Sequence, residues 1–280
     1  MSTHCALSEP EKIEVALLLE AIFLCYGYDF RGYARSCVER RLQQFCVDSG
    51  GLSYLDLTAQ LIRSEDVFSK LLPYFSVSVT SLFRAPHLYQ AMRREVIPLL
   101  RTWPHIKLWD AGCATGEEVY SLAILLQEEG VLERTTIYAT DINQADLDKA
   151  QAGIYDLNII RKGAANYYAT HGRSTLSSYY HARYNAAVMH SSLRKRVTFA
   201  RHNLAMDESF GQMQAIICRN VLIYFNQDLQ NRVLELFWES LDRGGFLCLG
   251  DNESLNFSSV ADRFESVSDS ARIYKKKAVK

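Results

Sequence analysis

The sequence predicts an α/β protein in which helices cover a doubly wound, mostly parallel sheet, with a small helical domain in front. From Pro104 onward, short apolar strand patterns alternate with amphipathic helix patterns, which is typical of parallel sheets. Before Pro73, apolar residues recur at helical spacing without sustained strand alternation. Between Leu108 and Ala123, an apolar strand enters a turn with two glycines and leaves it as a helix. We therefore expect a helical domain at residues 1–76 and an α/β domain at residues 77–280.

Three groups of apolar residues at helical spacing predict the helices of the first domain. They are Ile13, Leu17, Leu18 and Ile22; Val38, Leu42 and Phe45; and Tyr54, Leu57, Leu61 and Ile62. The pair Gly50 and Gly51 separates two of the helical stretches, because glycines interrupt helices.

A basic helix is expected over residues 30–46. Four arginines lie on it, namely Arg31, Arg35, Arg40 and Arg41. Spacings of four and five residues bring several of them near one face. Exposed arginines usually form only a solvated helix face. The alternative is a docking surface for an acidic partner.

The second domain is predicted from a regular succession of elements. Strands are expected over residues 106–110, 136–141, 197–202, 214–218 and 246–249, and helices over residues 117–128, 144–152 and 227–241. Residues 166–196 interrupt this alternation with polar and aromatic residues. Residues 177–189 contain enough Tyr and Val for short antiparallel strands, although a disordered loop is the alternative. We expect an inserted antiparallel β-subdomain at residues 166–196.

Composition narrows the classes of function. With 280 residues and 48% hydrophobic content, the chain can bury a substantial core. The net charge of −1 argues against a nucleic-acid partner. The seven scattered cysteines contain no C-x-x-C pair, so neither a disulfide framework nor a metal site is expected. No apolar run is long enough for membrane insertion, and residues 1–10 lack the pattern of a signal peptide, so the expected location is cytoplasmic.

The turn around Gly112 and Gly116 is the first candidate binding element. It lacks both the dinucleotide fingerprint and the Gly-Lys-Ser/Thr of a phosphate-binding loop. Glu117 and Glu118 begin the following helix, where carboxylates would repel a pyrophosphate. The turn therefore suits a cofactor that carries a cation, such as S-adenosylmethionine. On these residues alone, a tight turn with capping acids is about equally well supported.

Polar side chains at other strand ends add to this candidate site. Asp141 ends a predicted strand a little over twenty residues after the glycine turn, where a carboxylate can accept hydrogen bonds from both ribose hydroxyls. Its alternative role is to cap the next helix, but with the glycine turn in place we favour ribose binding. Arg219 and Asn220 follow a later apolar strand, and Tyr224 could face the same crevice or belong to the core.

These pieces resemble, in order, the chemotaxis receptor methyltransferases of the CheR family. The matching stretches are 80–84 (TSLFR), 111–121 (AGCATGEEVYS), 139–142 (ATDI), 153–155 (GIY), 203–204 (NL), 218–225 (CRNVLIYF) and 250–254 (GDNES). Each piece is short, but the complete ordered set is highly specific. The resemblance implies a class I methyltransferase-like fold and S-adenosyl-L-methionine as the cofactor.

The resemblance also implies roles for individual residues. Thr80 and Arg84 would contact the methionine end of the cofactor, Arg84 at its carboxylate, and Glu117 would face its amino group. Asp141 would hold the ribose. The further residues implied at the cofactor are Ser78, which stands where the family commonly has asparagine, Gly112, Asn203, Leu204, Asn220 and Val221. Arg84 and Tyr224 would set the geometry of the reacting centre.

The implied activity is transfer of a methyl group to glutamate side chains of chemoreceptors. Arg35, Arg40 and Arg41 would then meet the cytoplasmic helices of the receptor. Two alternatives remain at the level of sequence. The acceptor could be another molecule, since one fold serves many acceptors, or the protein could sense the cofactor without catalysis.

Overall fold

The structure is a computed structural model, and it describes residues 7–76, 78 and 80–278. The chain forms two compact units. Among the described residues, one unit consists of residues 7–76 together with Tyr224–Leu229, and the other of residues 78, 80–223 and 230–278. The sequence analysis assigned Tyr224–Leu229 to the α/β domain, whereas in the structure this segment groups with the helical unit.

The first unit is helical. Its helices are α1 (Glu9–Tyr26), α2 (Arg35–Asp48), α3 (Tyr54–Arg63) and α4 (Glu65–Phe75). Ser8 and Glu11 form a capping box at the start of α1, and Gly27 ends this helix with a φ of +71°. Stacked rings of Phe30 and Phe75 contribute to the core.

The apolar residues that predicted the helices of this unit are not all buried. Ile13 and Leu17 are 62% and 53% exposed, and Ile62 is also exposed, whereas Val15 and Leu19 are buried. The reason is that α1 carries apolar residues on nearly all sides. Helical spacing alone therefore could not select the buried face.

The second unit is the predicted α/β fold, which the structure confirms. Its strands are β1 (Ile106–Ala111), β2 (Thr135–Asp141), β3 (Ile154–Asp156), β4 (Tyr180–Arg183), β5 (Ala186–Met189), β6 (Val197–Arg201), β7 (Met213–Cys218), β8 (Leu241–Leu249), β9 (Phe264–Ser268) and β10 (Ile273–Lys276). Its helices are α5 (Pro86–Ala91), α6 (Ile97–Leu100), α7 (Glu117–Glu128), α8 (Gln144–Ala152), α9 (Leu157–Ala169), α10 (Ser191–Arg194) and α11 (Gln227–Ser240), of which α11 begins in the helical unit. A π-helical turn, Met92–Val96, joins α5 to α6.

The large sheet positions the candidate site. Among the described residues, its strand order is β6-β2-β1-β7-β8-β10-β9. The strands from β6 to β8 pair in parallel, whereas β10 pairs antiparallel with both β8 and β9. The chain winds outward from β1 in one direction and then continues with β7 on its other side. Ligands of such sheets bind beyond the carboxyl ends of the strands, where the winding reverses.

The small antiparallel sheet is also present, in the order β3-β5-β4. Its hairpin, β4 and β5, lies within the predicted residues 177–189. Two details differ from the sequence interpretation: β3 joins from outside the predicted insert, and residues 166–169 belong to α9. Asp156 caps α9 by accepting a hydrogen bond from the Asn158 backbone N–H at 2.7 Å, and this helix then continues past the expected boundary.

Ion pairs and hydrogen bonds join the C-terminal end of α7 to the segment that precedes the hairpin; this group of side chains is called the charge cluster below. Glu128 accepts hydrogen bonds from the hydroxyls of Tyr167 and Tyr179 and pairs with Arg93. Glu129 pairs with Arg93, Arg101 and Arg173. Burial raises the pKa of Glu128, but the hydrogen bonds from Tyr167, Arg93 and Tyr179 outweigh it and hold this pKa below its ordinary value.

Within the described ranges, the structure contains no helix with the length and apolarity that a membrane span requires. The same residues contain no group of three or more His, Cys, Asp or Glu side chains that could hold a metal ion.

Candidate active site

The glycine turn connects β1 to α7 at the carboxyl edge of the sheet. Gly112 and Gly116 have φ angles of +88° and +90°, which other residues adopt only with strain. A Cβ on Gly112 would lie 2.5 Å from Val221 Cγ2, and one on Gly116 would lie 2.7 Å from Ala150 Cβ. Both glycines are therefore required by conformation and by space.

Asp141 joins the end of β2 to this turn. Its Oδ2 accepts a hydrogen bond from the Ala114 backbone N–H at 2.9 Å, and its Oδ1 accepts one from Asn143 at the same distance. Burial raises the pKa of the Asp141 carboxyl, while the amides of Asn143 and Ala114 oppose that rise. An ionised carboxylate has about four acceptor positions. Asp141 therefore retains capacity to accept hydrogen bonds from a ligand.

Glu117 occupies the first turn of α7 and is buried. The hydroxyl of Thr115 donates a hydrogen bond to its carboxylate at 2.6 Å. Burial raises the pKa of Glu117, and the Thr115 hydroxyl partly offsets this effect. A buried carboxyl group of this kind is stabilised in its charged form when a cation binds beside it.

Next to Glu117, a second buried acid is already neutralised. Glu118 forms a buried ion pair with Arg219, which also donates a hydrogen bond to the Arg84 carbonyl at 3.1 Å. Burial lowers the pKa of Arg219, but the adjacent carboxylate of Glu118 outweighs burial and raises it. This pair connects α7, the end of β7 and the segment around Arg84.

Asp110, at the end of β1, is buried, and no described residue donates a hydrogen bond to its Oδ2. Burial, reinforced by the charge of Glu118, raises the pKa of Asp110 well above its ordinary value. The sequence interpretation gave neither Asp110 nor the pairing of Glu118 a role. An acid at a strand tip was a usable signal for Asp110, as it was for Asp141.

The segment that enters the second unit lies beside α8. The Ser78 hydroxyl donates a hydrogen bond at 2.5 Å to Asp146, a buried acid that also accepts one from the Asn143 side chain at 2.9 Å. Thr80 is partly buried, whereas Arg84 is exposed. Phe83 and Ala85, on either side of Arg84, have positive φ angles of 52° and 58°. Sequence reasoning missed Asp146, which is separated from Ser78 by 68 positions.

Asn203 and Leu204 follow β6 and lie near Asp141, because the His202 backbone N–H donates to the Asp141 carbonyl at 3.1 Å. The Asn203 side chain accepts a hydrogen bond from the Ala205 backbone N–H at 3.0 Å and so begins a turn. Leu204 is buried. At the end of β7, Asn220 has a φ of +61°, and Val221 lies against Gly112.

The structure therefore brings most of the predicted cofactor residues into one network. Gly112 contacts Val221, Asp141 binds the turn and adjoins the Asn203 segment, and Arg84 is held through Arg219. Ser78 is joined to the same region through Asp146 and Asn143.

Tyr224 and the predicted partner-binding arginines belong to the helical unit. Tyr224 lies under the Arg41 guanidinium, whose carbon is 5.2 Å from the ring centroid. Arg41 also donates a hydrogen bond to the Tyr74 carbonyl at 2.5 Å. Arg35 and Arg40 are both exposed, and Arg35 pairs with Glu39.

A parallel sheet with a glycine turn after β1 and an acid at the end of β2 is the arrangement of α/β proteins that bind a nucleoside-containing cofactor. The family model described as "CheR methyltransferase, SAM binding domain" matches residues 78–273. The chain belongs to the CheR methyltransferase family, and its cofactor is S-adenosylmethionine.

Three relatives illustrate this membership. The chain is 51% identical over 264 residues to a proposed methyltransferase of Pseudomonas putida named Cher3, covering 94% of this chain and 97% of the relative. It is 31% identical to chemotaxis protein methyltransferase 1 of Vibrio cholerae, covering 73% of this chain and 74% of the relative. It is 28% identical to the chemotaxis protein methyltransferase of Listeria monocytogenes, covering 82% and 85%.

The residues of the site fit this cofactor. The carboxyl group of Asp141 suits ribose hydroxyls, and that of Glu117 suits an ammonium group. The charge of Glu118 is balanced by Arg219, so this acid does not add to the negative charge that the carboxylate of the cofactor would meet. The positive φ of Gly112 shapes the turn, and Val221 occupies the space that a side chain at this position would need.

Proposed function

We propose that this protein transfers the methyl group of S-adenosylmethionine to glutamate side chains of chemoreceptors, giving glutamate methyl esters and S-adenosylhomocysteine in chemotaxis-type adaptation. The observation that carries the proposal is membership of the CheR family together with relatives named chemotaxis protein methyltransferases that align over most of their length. The cofactor supplies the activated methyl group. The chain supplies binding, orientation and exclusion of water.

The acids and amides of the second unit would hold the cofactor. Asp141 would accept hydrogen bonds from the ribose hydroxyls, and Glu117 would pair with the ammonium group. Arg84, with Ser78 and Thr80 near it in sequence, would bind the carboxylate. Asn203 and Leu204 would lie along the adenine, and Gly112, Asn220 and Val221 would border the rest of the cofactor. The contacts among these segments support this assignment.

The reaction requires little acid-base chemistry from the protein. A glutamate side chain is already ionised near neutral pH and is therefore a competent nucleophile. The main contribution is alignment of the carboxylate with the methyl group, a positional effect worth up to about 7–11 kcal/mol in favourable cases. We assign Arg84 and Tyr224 to this alignment. A general base is unnecessary.

The partner surface would lie on α2 of the helical unit. Arg35, Arg40 and Arg41 would face acidic positions on the cytoplasmic helices of a receptor, and the protein would then act in the cytoplasm. The exposure of Arg35 and Arg40 supports this assignment. Arg41 is already engaged with Tyr74 and Tyr224, so its contribution would be to orient α2.

The experiment is to mix the purified protein with methyl-labelled S-adenosylmethionine and membranes enriched in individual chemoreceptors. We expect base-labile label on a receptor, because carboxyl methyl esters hydrolyse in mild base. Base-stable label on another molecule would show that the methyl acceptor is not a receptor glutamate. Cofactor binding without transfer to any receptor would favour a cofactor sensor.

A further inference from the structure

The side chain of Glu253 lies within a ring of backbone N–H groups at the edge of the candidate site. Glu253 is 4% exposed, and its Oε2 accepts hydrogen bonds from Gly250 at 2.7 Å and from Asn220 at 2.9 Å. Its Oε1 accepts one from Val221 at 2.9 Å and a longer one from Ile223 at 3.4 Å. One carboxylate therefore satisfies amides of two separate segments, one after β7 and one after β8.

The turn after β7 depends on this carboxylate. Asn220 has a φ of +61°, a conformation that persists only where the surroundings enforce it. Beyond the end of β7, the amides of residues 220 and 221 have left the strand ladder, and buried amides without partners are costly. Charge-assisted hydrogen bonds are stronger than neutral ones. Burial raises the pKa of Glu253, while the amides that donate to it oppose that rise.

Gly250 makes room for this arrangement. A Cβ at position 250 would lie 2.6 Å from Glu253 Oε2 and 2.9 Å from the Asn220 backbone nitrogen. Any side chain there would displace either the carboxylate or the turn. Gly250 and Glu253 therefore act as one structural unit.

The turn held by Glu253 packs directly against the glycine turn. Val221 Cγ2 lies 2.5 Å from the position of a Cβ on Gly112, so the side chain of Val221 fills the space next to this glycine. A shift of residues 220 and 221 would therefore move their own backbone and also the Val221 side chain that packs against Gly112.

We propose that Glu253 is a positioning residue for the S-adenosylmethionine site, where it fixes the backbone of residues 220–223 against the glycine turn. The proposal rests on the cofactor-contacting roles proposed for Asn220 and Val221. Glu253 does not contact the cofactor itself. It acts through the amides that it holds.

The test is Glu253→Gln, which keeps the size of the side chain but replaces one acceptor oxygen with an NH₂ group that faces backbone donors. We expect the dissociation constant for S-adenosylmethionine, measured by calorimetry, to rise about tenfold or more. Hydrogen exchange without cofactor should accelerate at the amides of residues 220, 221 and 250. Glu253→Asp keeps the charge on a shorter side chain, so its affinity should lie between those of wild type and Glu253→Gln.

Glu129→Gln is the matched control, because Glu129 is a similarly buried, fully paired carboxylate. Glu129 follows the C-terminal end of α7, whereas the glycine turn precedes the N-terminal end of this helix. This control variant should lower the melting temperature and leave cofactor affinity within about twofold of wild type. Gly250→Ala gives an independent route, since it displaces the same carboxylate, and it should reproduce the affinity loss.

The outcomes separate this proposal from the assignment of the site. Wild-type affinity in folded Glu253→Gln and Gly250→Ala would overturn the positioning role while leaving the cofactor site intact. If Glu253→Gln does not fold, Glu253→Asp and Gly250→Ala decide the question by the same measurement. Failure of the wild-type protein to bind S-adenosylmethionine would overturn the site and this role together.

Discussion

At the scale of single residues, the site is a set of buried and partly buried acids with different partners. Glu118 is paired with Arg219, Asp141 accepts backbone hydrogen bonds, and Glu117 has one hydroxyl donor. Burial raises the pKa values of Asp110, Glu117 and Asp141. A ligand that carries positive charge stabilises the ionised forms of such acids. This environment suits the sulfonium and ammonium groups of S-adenosylmethionine.

Asp141→Asn tests the ribose assignment. The amide loses the negative charge and one acceptor oxygen, so we expect cofactor binding to weaken by about 1.5–3 kcal/mol, or roughly tenfold to more than a hundredfold. Calorimetric titration with S-adenosylmethionine measures this change. Asp148→Asn is the control, because Asp148 is an exposed acid on α8 that accepts a hydrogen bond from Gln144. Equal affinity in the two variants would remove Asp141 from the ribose site.

Sequence reasoning identified candidate residues that are marked by their immediate sequence neighbours. It missed residues whose role depends on hydrogen bonds to positions far away in the sequence. Gly112 and Asp141 stand at recognisable points, a turn after one strand and the tip of the next. The roles of Asp146 and Glu253 depend on hydrogen bonds to positions 68 and 33 residues away. No spacing rule reports such pairs, because tertiary packing brings them together.

At the scale of elements, the central device is the glycine turn between β1 and α7. Thr140 anchors its beginning by accepting hydrogen bonds from Gly112 and Cys113 at 2.8 and 2.9 Å. Asp141 holds its middle through Ala114, and Val221 packs against Gly112. The turn therefore depends on β2 and on the end of β7 as well as on its own glycines.

Gly112→Ala should disturb this turn in two separable ways. An alanine there would clash with Val221 and would also adopt a positive φ, which costs about 1–2 kcal/mol. Adding Val221→Ala removes the clash but not the backbone strain. Thermal unfolding should therefore show a large loss of stability in the single variant and partial recovery in the double variant. An absence of recovery would show that the Val221 contact does not limit this position.

The charge cluster at the end of α7 predicts a pH-dependent contribution to stability. Because the folded pKa of Glu128 is below its ordinary value, its stabilisation is complete above that ordinary value and is lost as the pH falls through the folded pKa. Glu128→Gln should cost about 3 kcal/mol near neutral pH. This difference from wild type should shrink under acid conditions, where both side chains are neutral.

Denaturant unfolding at several pH values measures the effect. Glu133→Gln serves as the control, since Glu133 forms an exposed ion pair with Arg196, and it should change stability by less than about 0.5 kcal/mol. A cost of Glu128→Gln that is constant with pH would contradict the assigned charge state.

Elements with a strong local pattern were predicted well. The bounds of α7 and α8 agree with the sequence expectation, and β1, β2, β6 and β7 agree within about one residue. The strands β9 and β10 were missed, because their antiparallel pairing depends on β8. The helical spacing of α1 indicated a helix but not its buried face, because this helix carries apolar residues nearly all around.

At the scale of the whole molecule, the chain combines a methyltransferase unit with a helical unit that also includes Tyr224–Leu229. In the sequence, this segment directly follows the turn held by Glu253. It therefore connects the proposed cofactor residues to the unit that carries α2. The proposed division of labour is cofactor binding by one unit and receptor recognition by the other.

Arg40→Glu tests that division of labour. Reversal of this exposed charge should lower receptor methylation several-fold, because the receptor surface is proposed to be acidic, while cofactor affinity stays unchanged. Initial rates against receptor concentration measure the loss. Lys70→Glu is the control, since Lys70 is an exposed cation on α4. Equal rates for both variants would remove Arg40 from the receptor surface, and parallel loss of cofactor binding would indicate misfolding.

The most direct test of the central claim is mass spectrometry of receptor peptides after incubation with the purified protein and S-adenosylmethionine. The account predicts a methyl ester on glutamate side chains of the receptor's cytoplasmic helices, formed by the wild-type protein and strongly reduced with Asp141→Asn. Methylation of a different side chain or molecule, or unmodified receptor despite bound cofactor, would contradict it.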